Sequence, residues 1–204
     1  MLTVEQNEEL TQIGPGTPMG ELLRRYWYPI AFEQDFDEVP TKTVRLLSEN
    51  WTLFKTPRSG RYGIVAETCP HRSASLTYGV VHEDGIRCGY HGWKWDFDGN
   101  CMEQPAEADN QNFRDRVKQK AGKAQVMGGM VWVYVGPDPA PELPRFDVFV
   151  QDGIRDVGHS TLPCNWLQIM ENSVDPHHVE WLHGFYFEFL GQTEGFDAPK
   201  AFQK

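Results

Sequence analysis

Two short segments constrain this chain more than anything else in it. Cys69-Pro70-His71 and Cys88-Gly89-Tyr90-His91 stand with sixteen residues between His71 and Cys88, a Cys-x-His followed by a Cys-x-x-His. Thiolate and imidazole together are metal-binding chemistry. A structural zinc site is one reading of two Cys and two His, yet zinc sites of that set usually pair Cys with Cys and His with His. Here each segment supplies one of each, which suits a two-iron cluster touched by both segments. Replacing two of four thiolates with neutral imidazoles makes such a cluster less negative and raises its reduction potential, so the site suits one-electron transfer.

The sequence around these segments predicts two finger-like loops on a small β scaffold. Tyr62–Ala66 is a β-prone run leading into the first, and Asp84-Gly85 between Val80-Val81 and Ile86 predicts a hairpin turn feeding the second. Trp93, Trp95 and Phe97 alternate with Lys94 and Asp96 ahead of a turn at Asp98-Gly99-Asn100, which predicts a strand with one buried face. Such aromatics exclude water from a cluster, though each also reads as ordinary core. On these residues the segment resembles a Rieske [2Fe-2S] domain. The resemblance implies that Cys69 and Cys88 hold the buried iron, and His71 and His91 the outer one.

A second constellation lies further along, in Glu171-Asn172-Ser173-Val174-Asp175-Pro176-His177-His178 and then His183. On the residues alone, Asp175 before Pro176 is an N-cap with proline at the first helical position. On a regular helix His178 and His183 lie about 140° apart, so they converge on one ion only if the helix ends or distorts between them. Gly184 is the expected terminator. His177 reads as a spare, and His82 and His159 as ordinary residues.

This stretch resembles the mononuclear iron motif of Rieske non-heme iron oxygenases, terminal oxygenase α subunits. Gly16-Thr17-Pro18-Met19-Gly20-Glu21-Leu22-Leu23-Arg24-Arg25-Tyr26-Trp27 resembles the start of the phthalate dioxygenase-like branch. The resemblance implies that His178 and His183 bind non-heme Fe(II) together with a downstream carboxylate, leaving positions open for O2. It implies that Asp175 links an iron-ligating His to a Rieske His of a neighbouring subunit, and that Asn172 is a polar position near the iron. Members of the family continue well past the second histidine and supply the third ligand there. Glu188, Glu194 and Asp197 lie too early to match it, so the resemblance implies a truncated catalytic domain.

The expected fold class is α+β: an all-β Rieske domain followed by the beginning of an α+β catalytic domain. Helices at Thr3–Ile13 (N-cap Thr3) and Met19–Tyr26 make residues 1–26 an N-terminal segment packing on the catalytic domain. The Rieske domain spans 27–136, a proline-rich connector 137–145, and the first part of the mononuclear iron domain 146–204. At 204 residues and a net charge of −10 the chain is a poor partner for nucleic acid or an anionic membrane. It has no apolar run fit to span a bilayer and no signal-peptide pattern, so a cytoplasmic location is expected. Cys101 and Cys164 are expected as reduced thiols.

The expected function follows from the resemblance. It is a terminal oxygenase component using O2 and electrons from NAD(P)H, delivered by a flavin and iron-sulfur reductase or a ferredoxin, to oxidise a small aromatic substrate. Ring hydroxylation of an aromatic carboxylate and O-demethylation of a methoxylated lignin-derived acid both suit the branch. A homotrimer or a dimer of trimers is implied. The competing class is a Rieske ferredoxin-like electron carrier, which has no use for His178.

Overall fold

The computed structural model describes residues 2–107 and 111–195. They fall into two compact units, Gln12–Val157 and the described parts of Met1–Thr11 with Gly158–Lys204. The division differs from the sequence expectation. Of the two N-terminal helices, α1 (Val4–Thr11) belongs with the later residues, while α2 (Pro18–Leu23) belongs with the β-rich unit. The proline-rich segment 137–145 is also counted with the β-rich unit, because Trp27 Nε1 donates to Pro141 O at 2.8 Å and Leu143 is buried against Trp27, Trp132 and Tyr134.

The larger unit is two antiparallel sheets. Its strands are β1 (Tyr28–Phe32), β2 (Thr41–Leu46), β3 (Glu49–Lys55), β4 (Tyr62–Ala66), β5 (Val80–His82), β6 (Gly85–Arg87), β7 (Lys94–Trp95), β8 (Cys101–Glu103), β9 (Ala121–Met127) and β10 (Met130–Tyr134). Six strands pair in the order β1-β10-β9-β4-β3-β2, and four in the order β5-β6-β7-β8. Neighbouring residues on one strand face opposite ways, and the core shows it. Leu53 and Ile64 pack in one apolar cluster with Trp51, Val131 and Val133, whereas Phe54 and Val65 pack in another with Leu76, Ile86, Trp93 and Trp95. The second cluster includes Cys69 and Cys88, so the two Cys/His segments are rooted in the core shared by the two sheets.

Local chemistry fixes the small sheet. β5 and β6 pair with His82 opposite Gly85, so the turn residues are Glu83-Asp84 and Gly85 already lies in the strand. Gly85 has φ +154°, and a Cβ there would lie 1.9 Å from the Trp95 carbonyl oxygen, so the position admits glycine alone. The expected turn at Asp98-Gly99-Asn100 forms around Asp96, whose carboxylate accepts from the backbone N–H groups of Asp98 (2.9 Å) and Asn100 (2.8 Å). The expected alternation along Trp93–Phe97 is only partly realised. Lys94 is as buried as its aromatic neighbours, because its ammonium reaches Asp84 at 2.8 Å and Glu103 at 3.2 Å.

The smaller unit is helical. α1 opens with a reciprocal cap in which Gln6 N donates to Thr3 Oγ1 and Thr3 N donates to Gln6 Oε1. After the short helices α3 (Gln111–Arg114) and α4 (Asp147–Val150) of the β-rich unit, α5 (Trp166–Ser173) starts at Asn165. That residue caps Leu167 N at 3.1 Å and also donates to Thr11 O at 3.0 Å. Trp166 Nε1 donates to Leu10 O at 3.2 Å, so the end of α1 and the start of α5 are tied together. α6 (Pro176–Glu180), a π-helical turn (Trp181–Phe185) and α7 (Tyr186–Glu194) follow. Gly184 does not end the helix. It is buried inside the π turn, and the left-handed stop comes at Gly195, φ +78°.

We expect Gly85→Ala to lower stability by about 3 kcal/mol or more, because backbone must move to clear the Trp95 carbonyl. Gly60→Ala has the same left-handed handicap (φ +65°) but open space around it, and should cost only about 1 kcal/mol. Thermal midpoints by far-ultraviolet circular dichroism check both; equal shifts contradict the clash.

Candidate metal centres

The two Cys/His segments are the same loop made twice. Cys69 N donates to Ala74 O (2.9 Å) and Ser73 N to Cys69 O (2.9 Å); Cys88 N donates to Trp93 O (2.8 Å) and Gly92 N to Cys88 O (3.0 Å). In each case the cysteine is closed onto the residues four and five places on. Each turn also needs one left-handed residue at the fourth place, Ser73 (φ 54°) and Gly92 (φ 76°). The twinning places both sulfurs inward: Cys69 is 1% exposed and Cys88 3%. The histidines sit at the rim, His71 half-buried and His91 exposed, with ring centroids 4.6 Å apart. His71 also stacks on Trp93 at 4.4 Å with ring planes 4° apart.

These residues fit a [2Fe-2S] cluster. Burial pushes the Cys69 thiol up to about 11; the His71 backbone N–H pulls it down, and the adjoining Cys88 thiol adds to the rise. A buried thiol that resists ionisation, beside a second buried cysteine, suits a cationic centre that takes both as thiolates. Burial, and then the neighbouring His91 and Arg72 charges, lower the His71 pKa and keep the imidazole neutral for ligation. Its Nδ1 is buried with no hydrogen-bond partner in the protein, which leaves that atom free for a metal. Among the described residues no three His, Cys, Asp or Glu side chains gather as one ion needs.

Several supporting residues carried no motif. Gln119, 6% exposed, donates from Nε2 to Ala66 O (2.8 Å) and Thr68 O (2.9 Å), pinning the entry to the first loop. Thr77 ties the exit down: its carbonyl accepts from Thr41 Oγ1 at 2.7 Å, and its hydroxyl meets those of Thr43 (2.7 Å) and Thr52 (3.0 Å). Arg87 holds the second loop through Nη1 to Gly92 O (2.8 Å) and is itself paired with Glu103 at 2.5 Å. Isolated polar side chains whose partners are backbone carbonyls and single hydroxyls leave no periodicity, which is why the sequence does not announce them.

The second centre is built by a helix that widens. Tyr186 N donates to Trp181 O, five residues back, and residues five apart come onto one face. His178 and His183 thereby meet, with centroids 5.3 Å apart and planes at 76°. Asp175 is the N-cap of α6 through Oδ1 to His177 N at 2.9 Å. Its carbonyl lies 2.7 Å from His178 Nδ1 and its Oδ2 3.6 Å from the same atom. A carbonyl only accepts, so Nδ1 carries the proton and Nε2 keeps its lone pair. Asn172 lies in the last turn of α5, its carbonyl accepting from Asp175 N at 3.3 Å. His177 is exposed. Of the tail carboxylates, Asp197 lies outside the described residues.

An antiparallel two-sheet scaffold carrying twin Cys/His loops defines a Rieske iron-sulfur protein, and residues 26–120 match the model of the Rieske [2Fe-2S] domain. The whole chain has relatives among oxygenase subunits. It is 48% identical to the 5,5'-dehydrodivanillate O-demethylase oxygenase subunit of Sphingobium sp., over 98% of this chain and 48% of the relative. It is 38% identical to the phthalate 4,5-dioxygenase oxygenase subunit of Pseudomonas putida, over 92% of this chain and 43% of the relative. A solved complex of the oxygenase and ferredoxin of carbazole 1,9a-dioxygenase superposes with TM-score 0.65 at 25% identity, covering 87% of this chain and 45% of that one. The chain belongs to the Rieske non-heme iron oxygenases, and spans about half the length of the curated relatives it matches.

Cys88→Ala and His71→Ala should each abolish the visible Rieske absorption of protein purified without oxygen. Retained absorption in either variant contradicts the ligand assignment.

Proposed function

We propose that this chain acts as the terminal oxygenase component of a Rieske system. The sheet unit receives electrons that originate at NAD(P)H and arrive through a flavin and iron-sulfur reductase or a ferredoxin. The residues from 158 onward open the catalytic part. The observation that carries this reading is the π turn that brings His178 and His183 face to edge in a chain that also holds the twin cluster loops. An electron carrier has no use for it.

In this reading Cys69, Cys88, His71 and His91 hold the [2Fe-2S] cluster, and His178 and His183 hold a non-heme Fe(II). When bound, that iron supplies O2 activation. Among the described residues no carboxylate joins the two histidines to complete a set of three. Asp175 orients rather than ligates: it fixes the tautomer of His178 through its carbonyl and offers a carboxylate oxygen for the imidazole of a neighbouring subunit's Rieske site. Asn172 serves as a polar neighbour of the iron. A link between subunits requires head-to-tail contacts that close into a ring, hence a homotrimer or a dimer of trimers. Among the described residues no helix is long and apolar enough to cross a membrane, and we place the protein in the cytoplasm, where NAD(P)H is at hand.

For the reaction we propose oxidative O-demethylation of a methoxylated, lignin-derived aromatic acid, on the strength of the 48% identity to a subunit named for that activity. One oxygen atom enters the methyl group, the C–O bond to that carbon breaks to give formaldehyde and a phenol, and the other atom leaves as water. Two electrons from NAD(P)H and two protons balance the step. Ring hydroxylation of an aromatic carboxylate is the second reading, carried by the phthalate 4,5-dioxygenase relative.

The test is product analysis with O2, NADH, a reductase and vanillate-type acids. Formaldehyde equimolar with the phenol supports demethylation, and a cis-diol from phthalate-type acids supports the second reading. Neither product from protein with an intact cluster returns it to the carrier class. Asp175→Asn should keep the Rieske spectrum and the iron content while product formation falls about 10–100-fold; undiminished turnover removes the bridging role.

A further inference from the structure

His91, the exposed imidazole of the second loop, has little of its own to hold it. Among the described residues it makes no hydrogen bond, and its ring lies beside those of His71 (centroids 4.6 Å apart) and Tyr90 (3.7 Å). What is fixed is the residue after it. Gly92 N–H donates to Cys88 O at 3.0 Å, and the Gly92 carbonyl accepts from Arg87 Nη1 at 2.8 Å. Gly92 also has φ +76°, and a Cβ on it would come within 3.0 Å of Pro105 Cγ, so the exit of the loop is narrow.

The guanidinium that takes the Gly92 carbonyl is itself held from several strands. Arg87 starts from β6; its Nη2 donates to Glu103 Oε2 of β8 at 2.5 Å, and its Nε donates to His82 Nε2 of β5 at 3.4 Å. Glu103 is steadied in turn by Lys94 of β7 at 3.2 Å, and Lys94 also reaches Asp84 at 2.8 Å. All four strands of the small sheet thus take part in aiming one N–H at one carbonyl. A planar fork with donors at fixed angles serves three partners in one geometry, which an ammonium on a flexible stem does not.

We propose that Arg87 is the positioning residue of His91: it ties the peptide that follows His91 to the small sheet, and so sets how that imidazole is presented to the cluster. The inference rests on His91 being a ligand. The effect passes through Gly92, since the three arms of the guanidinium are taken by Gly92, Glu103 and His82. The first loop has a clamp of another kind, because Gln119 grips it at the carbonyls of Ala66 and Thr68, ahead of Cys69 and His71. Each imidazole therefore has its own clamp, and the two can be loosened separately.

Pulsed electron paramagnetic resonance of the reduced full chain, carrying 15N-labelled histidine, reads the two ligand nitrogens as separate couplings. Arg87→Met keeps the length of the side chain and removes its donors; it should shift one coupling and leave the other in place. Gln119→Met should shift the other one. The proposal is overturned if Arg87→Met shifts neither coupling, shifts both, or shifts the one that Gln119→Met shifts, since Arg87 is then general scaffold. Absence of two histidine couplings from the unaltered protein overturns the ligand assignment itself, a separate failure. Should Arg87→Met assemble no cluster, Glu103→Gln decides, because it keeps Arg87 and removes only the anion that aims it. A shift in one coupling then supports the proposal, and a shift in both or in neither overturns it.

Discussion

Two thiols packed against each other in an apolar core are an electrostatic problem that the rest of the larger unit is arranged around. Cys69 does not ionise readily, standing at about 11, because burial disfavours its thiolate. A cationic centre reverses that balance, so binding and folding of the loops are one process. The sheets make the arrangement possible by fixing loop ends rather than loop interiors. Gln119 and the threonines around Thr77 clamp the first loop at its two strands, and Arg87 clamps the second from the strand beside it. The loops between these clamps need only the closures each cysteine makes with its own turn.

That closure explains the asymmetry between thiolate and imidazole. A cysteine whose N–H and carbonyl are both tied into its own turn is drawn to the floor of the loop, while the histidine two or three residues later rides its outer edge. The two cysteine sulfurs therefore lie under protein, while His71 is half-buried and His91 exposed. Lys94 is a buried charge on β7. Burial works against its charge, but hydrogen bonds to Asp84 and Glu103 outweigh that and leave its pKa raised, so a cation sits firmly between Trp93 and Trp95 without neutralising in the core.

What could be read from sequence was whatever local spacing determines. The paired Cys and His, the β4 run into the first loop, the hairpin before the second and the Thr3 and Asp175 helix starts are set by nearest neighbours. Lys94 was misread because alternation predicts that a charge points outward, and two long-range carboxylates overrode it. Gly184 resembles a cap because it is a glycine near an expected helix end, yet it is buried inside the π turn, and the left-handed stop is Gly195. The need for a distortion between His178 and His183 was legible as a matter of angles. Its form was not, since a π turn depends on whether backbone hydrogen bonds five apart beat those four apart, and that is settled by packing. The boundary between units was also beyond local reading: α1 goes with α5 through two hydrogen bonds that span more than 150 residues of sequence.

The Asp175 carboxylate gains its orientation from an ordinary structural duty. Because Oδ1 is held by His177 N–H as the cap of α6, the plane of the carboxylate cannot rotate freely, and Oδ2 is presented in one direction. The peptide carbonyl of the same residue meanwhile fixes which nitrogen of His178 carries the proton. One residue thus sets the tautomer of the His178 imidazole with its backbone, and keeps a carboxylate oxygen available with its side chain. An asparagine keeps the cap, since its amide oxygen accepts as well, but puts a neutral amide where the second oxygen was. The Asp175→Asn variant therefore separates the two duties: the helix start survives and the anionic contact is lost.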